Sequence, residues 1–254
     1  MNIVIRLLPV CLSVLLLAGC LADSEADKST VNQLNAIHEQ LKTLTVEVVR
    51  LQEQVADFKK TDAEEPEVKE IDFGLSSTLT RMGNADAQYA IVEFMDYQCP
   101  YCIRHAKSTL PLLKKNYIET GLVQYFVKDF PLDFHAEAEN AAIAARCAAN
   151  QGKFEVMHGL LLESSRQLSS SLYSELAAKA DLNQKKFSEC FSDKSNLLAL
   201  NENIKQARRA GVAGTPRFFI GKIKGDSLVN IISISGAQSV ESFEQALQWV
   251  FSRQ

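Results

Sequence analysis

The sequence predicts an α/β protein in which a helical block interrupts one small sheet. Runs rich in β-branched and aromatic residues occur in two groups, separated by a long stretch without them. In that stretch, about residues 135–210, apolar residues recur at helical spacing instead. The runs interpreted as strands are residues 91–94, 122–127, 217–221 and 230–234. We therefore expect one sheet built from both groups, with the helices inserted between them.

Composition is that of a globular protein with an additional N-terminal segment. The 254 residues carry a formal net charge of −4, and 46% of them are hydrophobic, which is enough for a packed core. Mild acidity without a basic block argues against nucleic acid as a partner. The predicted organisation is a signal peptide at 1–19, a lipid anchor, tether and stalk at 20–60, a linker at 61–75 and a folded domain at 76–254.

The N-terminus has the pattern of a lipoprotein signal. Arg6 precedes an apolar run at residues 7–18, which has the length of a signal-peptide core. The run ends in Leu-Ala-Gly-Cys, which resembles the lipobox of bacterial lipoproteins and implies cleavage before Cys20 and lipidation of its thiol. Leu21, rather than Asp, favours the outer over the inner membrane. The alternative is an ordinary cleaved signal with a chance cysteine.

Residues 34–58, the stalk, carry a heptad repeat. Apolar residues alternate in steps of three and four over four heptads, which predicts a coiled coil and a homo-oligomer. The repeat consists of Leu34, Ile37, Leu41, Leu44, Val48, Leu51, Val55 and Phe58. Their mixture does not select dimer over trimer, and an amphipathic helix packed on its own domain is the alternative.

Two cysteines follow a predicted strand and open a predicted helix at residues 103–117. In this context the Cys-x-x-Cys spacing of Cys99 and Cys102 indicates a redox pair. The unpaired N–H groups and partial positive charge of a helix N-terminus lower the pKa of a thiol there. We expect Cys99 to be an exposed nucleophile and Cys102 to resolve the mixed disulfide.

Other uses of the pair are less well supported. A zinc site needs a second ligand pair, and the sequence has neither another Cys-x-x-Cys nor a His-x3-His, so no metal site is predicted. A copper(I)-binding or delivery module could use two thiolates, but no Met or His cluster lies near them. A lipoprotein scaffold with incidental thiols is a third possibility. A redox pair would need no cofactor beyond its own disulfide.

The motif F-M-D-Y-Q-C-P-Y-C, the helical block and V-A-G-T-P-R-F-F-I-G together resemble the DsbA-like thiol–disulfide oxidoreductases. The resemblance covers about Ser76 to Arg253. It implies a thioredoxin-like fold with an inserted α-helical subdomain, here preceded by the long N-terminal helix. It also implies disulfide exchange in cysteine-containing envelope proteins and a membrane redox partner.

Several residue roles follow from this resemblance. It implies a cis bond between Thr215 and Pro216, which lie beside the redox pair and bind substrate together with Pro100 and Tyr101. Because Tyr101 replaces the histidine of the strongest oxidant of the family, we expect a milder potential.

Glu93 matches the buried acid beneath the redox pair of related folds. This implies that it relays the proton of Cys102. The alternative is a strand-edge residue that faces solvent.

Cys147 and Cys190 match a structural disulfide of some relatives, and an oxidising envelope favours such a bridge. The alternative is two buried free thiols.

Arg104 and His105 are expected to face solvent, and His38, His135 and His158 are assigned no role. If the stalk self-associates, isomerase or reductase activity is favoured, and a tethered dithiol oxidase is the alternative.

Overall fold

A computed structural model describes residues 30–52 and 70–253 of the chain. The chain divides into two units, Met1–Glu65 and Pro66–Gln254, and each is described here by itself. The predicted signal peptide, Cys20 and most of the predicted linker lie outside the described residues.

The described part of the first unit is one helix, α1, over residues 30–52. Six of the eight predicted heptad positions lie on it, and all six side chains are exposed. Their exposed fractions are Leu34 60%, Ile37 51%, Leu41 57%, Leu44 61%, Val48 51% and Leu51 53%. The last two heptad positions, Val55 and Phe58, lie outside the described residues. The long N-terminal helix is thus confirmed, while its self-association stays a prediction.

The second unit is built on a six-stranded sheet of order β1-β6-β5-β3-β4-β2. β3 and β4 are parallel, and every other neighbouring pair is antiparallel. The strands are β1 Glu70–Asp72, β2 Arg81–Met82, β3 Tyr89–Met95, β4 Val123–Asp129, β5 Arg217–Lys224 and β6 Ser227–Ser235. The folded domain begins before residue 76, because β1 pairs with β6 and Phe73 and Leu75 are buried in the core. The predicted linker at 61–75 therefore extends too far toward the C-terminus.

Eight helices surround the sheet in the described part of this unit. They are α2 Pro100–Ser108, α3 Leu110–Leu113, α4 Ala138–Ala149, α5 Phe154–Glu163, α6 Leu172–Lys179, α7 Gln184–Ser192, α8 Ser195–Arg209 and α9 Val240–Ser252. The single helix predicted at 103–117 is wrong in its extent: it is replaced by α2, α3 and a π-helical turn at Lys114–Ile118. The break falls just before Pro111, which has no N–H to continue the hydrogen-bond ladder.

The core has two layers, and side chains along β3 point alternately into one layer and the other. Ile91 and Met95 pack in one layer with α2, α9 and the helical insertion, whereas Val92 and Phe94 pack in the other. Because side chains alternate along a strand, Glu93 points into the same layer as Ile91 and Met95. A carboxyl group is therefore placed between the sheet and the redox helix, in an otherwise apolar layer.

Helices α4 to α8 form the helical insertion, which lies between β4 and β5 in sequence. Cys147 on α4 and Cys190 on α7 form a disulfide with an S–S distance of 2.01 Å across a sequence separation of 43 residues. The predicted structural bridge is thus confirmed. Among the described helices, none combines the length and the apolar character that crossing a bilayer requires.

Candidate active site

The turn that carries the cysteines, residues 96–102, is held by a buried carboxylate. Asp96 is 2% exposed and follows directly on β3. Its Oδ1 accepts a hydrogen bond from the Gln98 N–H at 2.7 Å, and its Oδ2 accepts one from the Leu132 N–H at 2.8 Å. His135 Nδ1 lies 2.9 Å from the same Oδ2. Asp96 therefore links the turn to the segment after β4 by hydrogen bonds. His135, to which no role was assigned, contacts the same carboxylate.

Cys99 occupies the N-cap of α2, and Pro100 is the first residue of that helix. The pKa of Cys99 is lowered to about 5, first by the hydrogen bond with Cys102, and further by Thr215 and by the N–H groups of Cys102 and Tyr101. Burial opposes this shift. Proline suits the first helical position because its missing N–H is not needed there. The thiol at the helix N-terminus is thus ionised at neutral pH.

Cys99 is less accessible than the sequence predicted. Its residue is only 3% exposed, because it lies beneath the loop that contains Thr215 and Pro216. Its Sγ lies 3.4 Å from the Thr215 carbonyl oxygen, and the Thr215–Pro216 bond is cis, as expected. The expectation of an exposed nucleophile was therefore wrong.

The pKa of Cys102 is shifted in the opposite direction from that of Cys99. It is 1% exposed and lies one helical turn into α2, in the layer between helix and sheet. Burial, the hydrogen bond with Cys99 and the negative charge of Glu93 raise its pKa far above the usual value. One thiol of the pair is thus held as a thiolate and the other as a protonated thiol, and both are reduced in this structure.

Glu93 lies in the interior and does not face solvent. It is 2% exposed on the central strand β3, and burial raises its pKa to about 8. The hydroxyl group of Tyr125 donates to Glu93 Oε2 at 2.8 Å and moderates that rise. The carboxyl group can therefore change its protonation state near neutral pH, within the electrostatic reach of both cysteines.

The expectation that His105 faces solvent was wrong. The residue is 0% exposed, and its Nε2 lies 3.0 Å from the Tyr125 hydroxyl oxygen. Its ring packs against Phe218 and Phe243, with centroid distances of 4.5 and 5.3 Å. Helical spacing could have revealed this, since His105 is three residues after the buried Cys102 and shares its face. Arg104 is exposed as expected.

A second tyrosine–histidine pair adjoins the same turn. Tyr97 is 1% exposed, and its hydroxyl group lies 3.0 Å from Nδ1 of the buried His158. His158 belongs to α5, so this contact joins the helical insertion to the turn. No signal in the sequence pointed to His158, because the pairing depends on how the insertion packs.

An open groove of about 460 Å³ runs beside the cysteine pair. Tyr101 lines it and is 54% exposed. Arg104 donates a hydrogen bond to the Ala237 carbonyl at 3.1 Å, with its guanidinium 5.0 Å from the centre of the Tyr101 ring. The groove is also lined by Gly214, Thr215, Pro216, Arg217 and residues 235–238. Three of the four predicted substrate-binding residues therefore line one surface, while Pro100 is exposed at the start of α2.

No metal site emerges from the described residues: nowhere in 30–52 and 70–253 do three or more His, Cys, Asp or Glu side chains cluster as metal ligands. The site holds a thiolate, a protonated partner thiol and a buried carboxyl group close together, which suits it to thiol exchange.

Known proteins agree with this description. A thioredoxin family model matches residues 76–248, which is more than half of the chain. A candidate protein-disulfide oxidoreductase of Rickettsia bellii is 25% identical over 189 residues, covering 70% of this chain and 71% of that protein. BdbD from Bacillus subtilis has the same fold, with a TM-score of 0.61 at 17% identity over 72% of this chain and 98% of that one. The chain therefore belongs to the thioredoxin family.

A larger protein contains a segment similar to this chain. The Na(+)/H(+) antiporter NhaA 3 of Salinispora tropica is 31% identical over 156 residues, covering 61% of this chain but 23% of the antiporter. The chain thus spans about a quarter of the length of the first curated relatives that it matches.

Proposed function

We propose that the protein is an enzyme that catalyses thiol–disulfide exchange in cysteine-containing proteins of the bacterial envelope. The observation that carries this proposal is the placement of two thiols one helical turn apart, with Cys99 at the N-cap of α2 and Cys102 buried in the first turn of that helix. The low pKa of Cys99 makes it a nucleophile at neutral pH, while the raised pKa of Cys102 keeps it protonated. In such a pair, the first thiolate attacks a substrate disulfide, and the second thiol then resolves the mixed disulfide that forms.

In the reducing direction, the Cys99 thiolate attacks one sulfur of a substrate disulfide. The other substrate sulfur leaves as a thiolate, and a mixed disulfide with Cys99 remains. Cys102 gives its proton to the Glu93 carboxylate and attacks the Cys99 sulfur, which releases the second substrate thiolate and forms the Cys99–Cys102 disulfide. The reverse sequence oxidises a substrate dithiol, and Glu93 then returns the proton to Cys102. The disulfide itself carries the two electrons, so the exchange requires no other cofactor.

Substrate recognition is assigned to the groove beside Cys99. Tyr101, Thr215 and Pro216 line it, and the Thr215 carbonyl oxygen lies 3.4 Å from Cys99 Sγ. An extended substrate segment that lies in the groove would present its sulfur to Cys99 and bury part of the exposed Tyr101 ring.

We further propose that Cys20 is lipidated in the periplasm, with the outer membrane favoured, and that the stalk assembles several copies. Support for assembly comes from α1, where the six described heptad residues share one face and are each more than half exposed. A second copy of the same stripe is the occupant that a heptad pattern fits. Several active sites in one assembly favour isomerase or reductase activity, because they can hold one misfolded client together.

The test is reactivation of a protein with scrambled disulfides by residues 21–254 and by residues 66–254, which lack the stalk. We expect both forms to exchange disulfides and only the longer one to unscramble the client. Fast oxidation of a reduced client by both, without unscrambling by either, would instead identify a tethered dithiol oxidase. A Cys99→Ser variant is the control and must be inactive. Copper(I) binding without any exchange would refute the proposal in favour of a metal-delivery module.

A further inference from the structure

Three buried polar side chains form a continuous chain behind the resolving cysteine. They come from three different elements: Glu93 from β3, Tyr125 from β4 and His105 from α2. Tyr125 donates to Glu93 Oε2 at 2.8 Å, and His105 Nε2 lies 3.0 Å from the same tyrosine oxygen. None of the three is more than 2% exposed. Burying polar groups this deeply is costly unless they are hydrogen-bonded, and these three side chains supply hydrogen-bond partners to one another.

The direction of the hydrogen bonds follows from the tyrosine. Because the Tyr125 hydroxyl group donates a hydrogen bond to the ionised Glu93, its oxygen is left to accept a hydrogen bond from His105 Nε2–H. This assigns the proton of the neutral imidazole to Nε2. Nδ1 of His105 is buried without a hydrogen-bond partner among the described residues. A proton there would lack an acceptor, so protonation of His105 is disfavoured.

We propose that Tyr125 and His105 are positioning residues that tune Glu93 as the proton store of the thiol exchange. This inference deepens the proposed function and rests on it. Tyr125 holds the carboxylate oxygen by a charge-assisted hydrogen bond, which favours the ionised form that accepts the Cys102 proton. His105 fixes the tyrosine hydroxyl group in the donating direction. Since His105 is three residues after Cys102 on α2, the same helix carries the thiol and the end of the chain that serves it.

The proton stays on Glu93 and does not pass along the chain. Burial lowers the pKa of His105 to about 3, and burial and the charge of Glu93 raise that of Tyr125 well above 10. Only Glu93, with a pKa of about 8, changes its protonation near neutral pH. The other titratable groups that act on these three residues are Tyr97, Cys99 and Cys102 of the cysteine turn and His158 from α5.

The test uses the full chain and an aromatic disulfide that releases a coloured thiol. The first release reports attack by Cys99, and the second reports resolution by Cys102, so the two steps are separated in one trace. Tyr125→Phe keeps the ring and removes the hydroxyl group. We expect the pH midpoint of the second phase to rise by about one pH unit, while the first phase stays within about twofold. A second phase whose midpoint stays at the wild-type value would overturn the proposal.

Tyr173→Phe is the matched control. Tyr173 also donates a hydrogen bond to a partly buried carboxylate, Glu137 Oε2, at 2.9 Å, but this tyrosine lies on α6 in the helical insertion. Its loss should leave the midpoint of the second phase where it is. An equal shift in both variants would mean that any lost tyrosine hydroxyl disturbs the site, which contradicts a specific role of Tyr125.

His105 is tested by a pair of variants. His105→Phe keeps a ring against Phe218 and Phe243 but cannot hydrogen-bond with Tyr125, and we expect a smaller upward shift of the midpoint. His105→Gln retains an amide N–H that can reach the tyrosine oxygen and should restore the wild-type midpoint. A merely structural role would predict the reverse order, because glutamine packs less well than phenylalanine among aromatic rings.

An infrared measurement separates this inference from the proposed function. The carbonyl band of protonated Glu93, identified by its loss in Glu93→Gln, depends on the tyrosine and on no thiol step. We expect Tyr125→Phe to move this band to higher frequency and Tyr173→Phe to leave it in place. If Tyr125→Phe moves the band but the wild-type protein shows no thiol exchange, the tuning of Glu93 would be supported and the proposed function refuted. Active exchange with an unmoved band would refute the tuning alone.

Discussion

Replacing Glu93 by glutamine is the sharpest test of the proton path. The change keeps the shape of the side chain on β3 and removes its ability to accept a proton. With a pKa of about 8, roughly a tenth of the Glu93 carboxyl groups are ionised at pH 7. The rate of Cys102 attack in the wild type should therefore rise by about tenfold from pH 7 to a plateau above pH 8. A positioned general base contributes about 100-fold or more, so the variant should lose about that factor at the plateau.

The assay is the two-phase release of a coloured thiol from an aromatic disulfide, followed by stopped flow across a range of pH. In Glu93→Gln, the first phase should stay within about threefold of the wild type, because the pKa of Cys99 is lowered mainly by hydrogen bonds with Cys102 and Thr215. The second phase should be slow and should keep rising with pH without a plateau near 8, because only solvent remains to take the proton.

Glu137→Gln is the control, since Glu137 is also hydrogen-bonded to a tyrosine but precedes α4. Both of its phases should match the wild type. The reasoning fails if Glu93→Gln keeps the wild-type second phase and its plateau, because the proton of Cys102 would then leave by another path.

Four further results are expected. Alkylation of Cys99 should follow a single titration with a midpoint near pH 5, measured by mass spectrometry, and a midpoint near 8.5 would refute the helix-terminus argument. The free energy of unfolding should fall relative to Glu93→Gln by about 1.4 kcal/mol per pH unit between pH 4.5 and 8, because the folded state alone keeps the Glu93 proton in that window; parallel pH profiles in denaturant titrations would contradict this. The double variant Cys147→Ala and Cys190→Ala lacks the disulfide that closes a loop across a sequence separation of 43 residues. Its free energy of unfolding, measured by urea titration, should be lower by about 4 kcal/mol, while thiol exchange is retained under native conditions. Leu44→Asp should convert an oligomer into monomers in sedimentation, whereas an unchanged mass would show that the stripe on α1 does not hold the copies together.

The position of the cysteine pair at the start of a helix could be predicted, because it depends on residues close together in sequence. The sequence of strand, two spaced cysteines and helix places Cys99 at the N-cap of α2, and a helix terminus acts on its own first turn whatever packs around it. The alternation within β3 left the orientation of Glu93 open, since apolar neighbours lie on both sides of it in the sequence. The resemblance pointed to a buried position, and the carboxyl group is buried.

The contacts between distant segments were the part that sequence reasoning missed. His105 looked like a polar helix residue, and its burial depends on α2 lying against Phe218 and Phe243. Asp96 and His135 meet because β3 and β4 end side by side in parallel. Tyr97 and His158 meet because α5 of the insertion packs on the cysteine turn.

The sequence by itself determined the chemistry at Cys99, because one helix end and one spacing are local properties. It also determined the apolar stripe of the stalk, since a heptad repeat can be read directly from residue order. Only the tertiary structure decided where the proton of Cys102 can go. The acceptor Glu93, the tyrosine that tunes it and the histidine behind them come from two strands and a helix. Only strand register and helix packing bring Tyr125 within 2.8 Å of Glu93 and within 3.0 Å of His105.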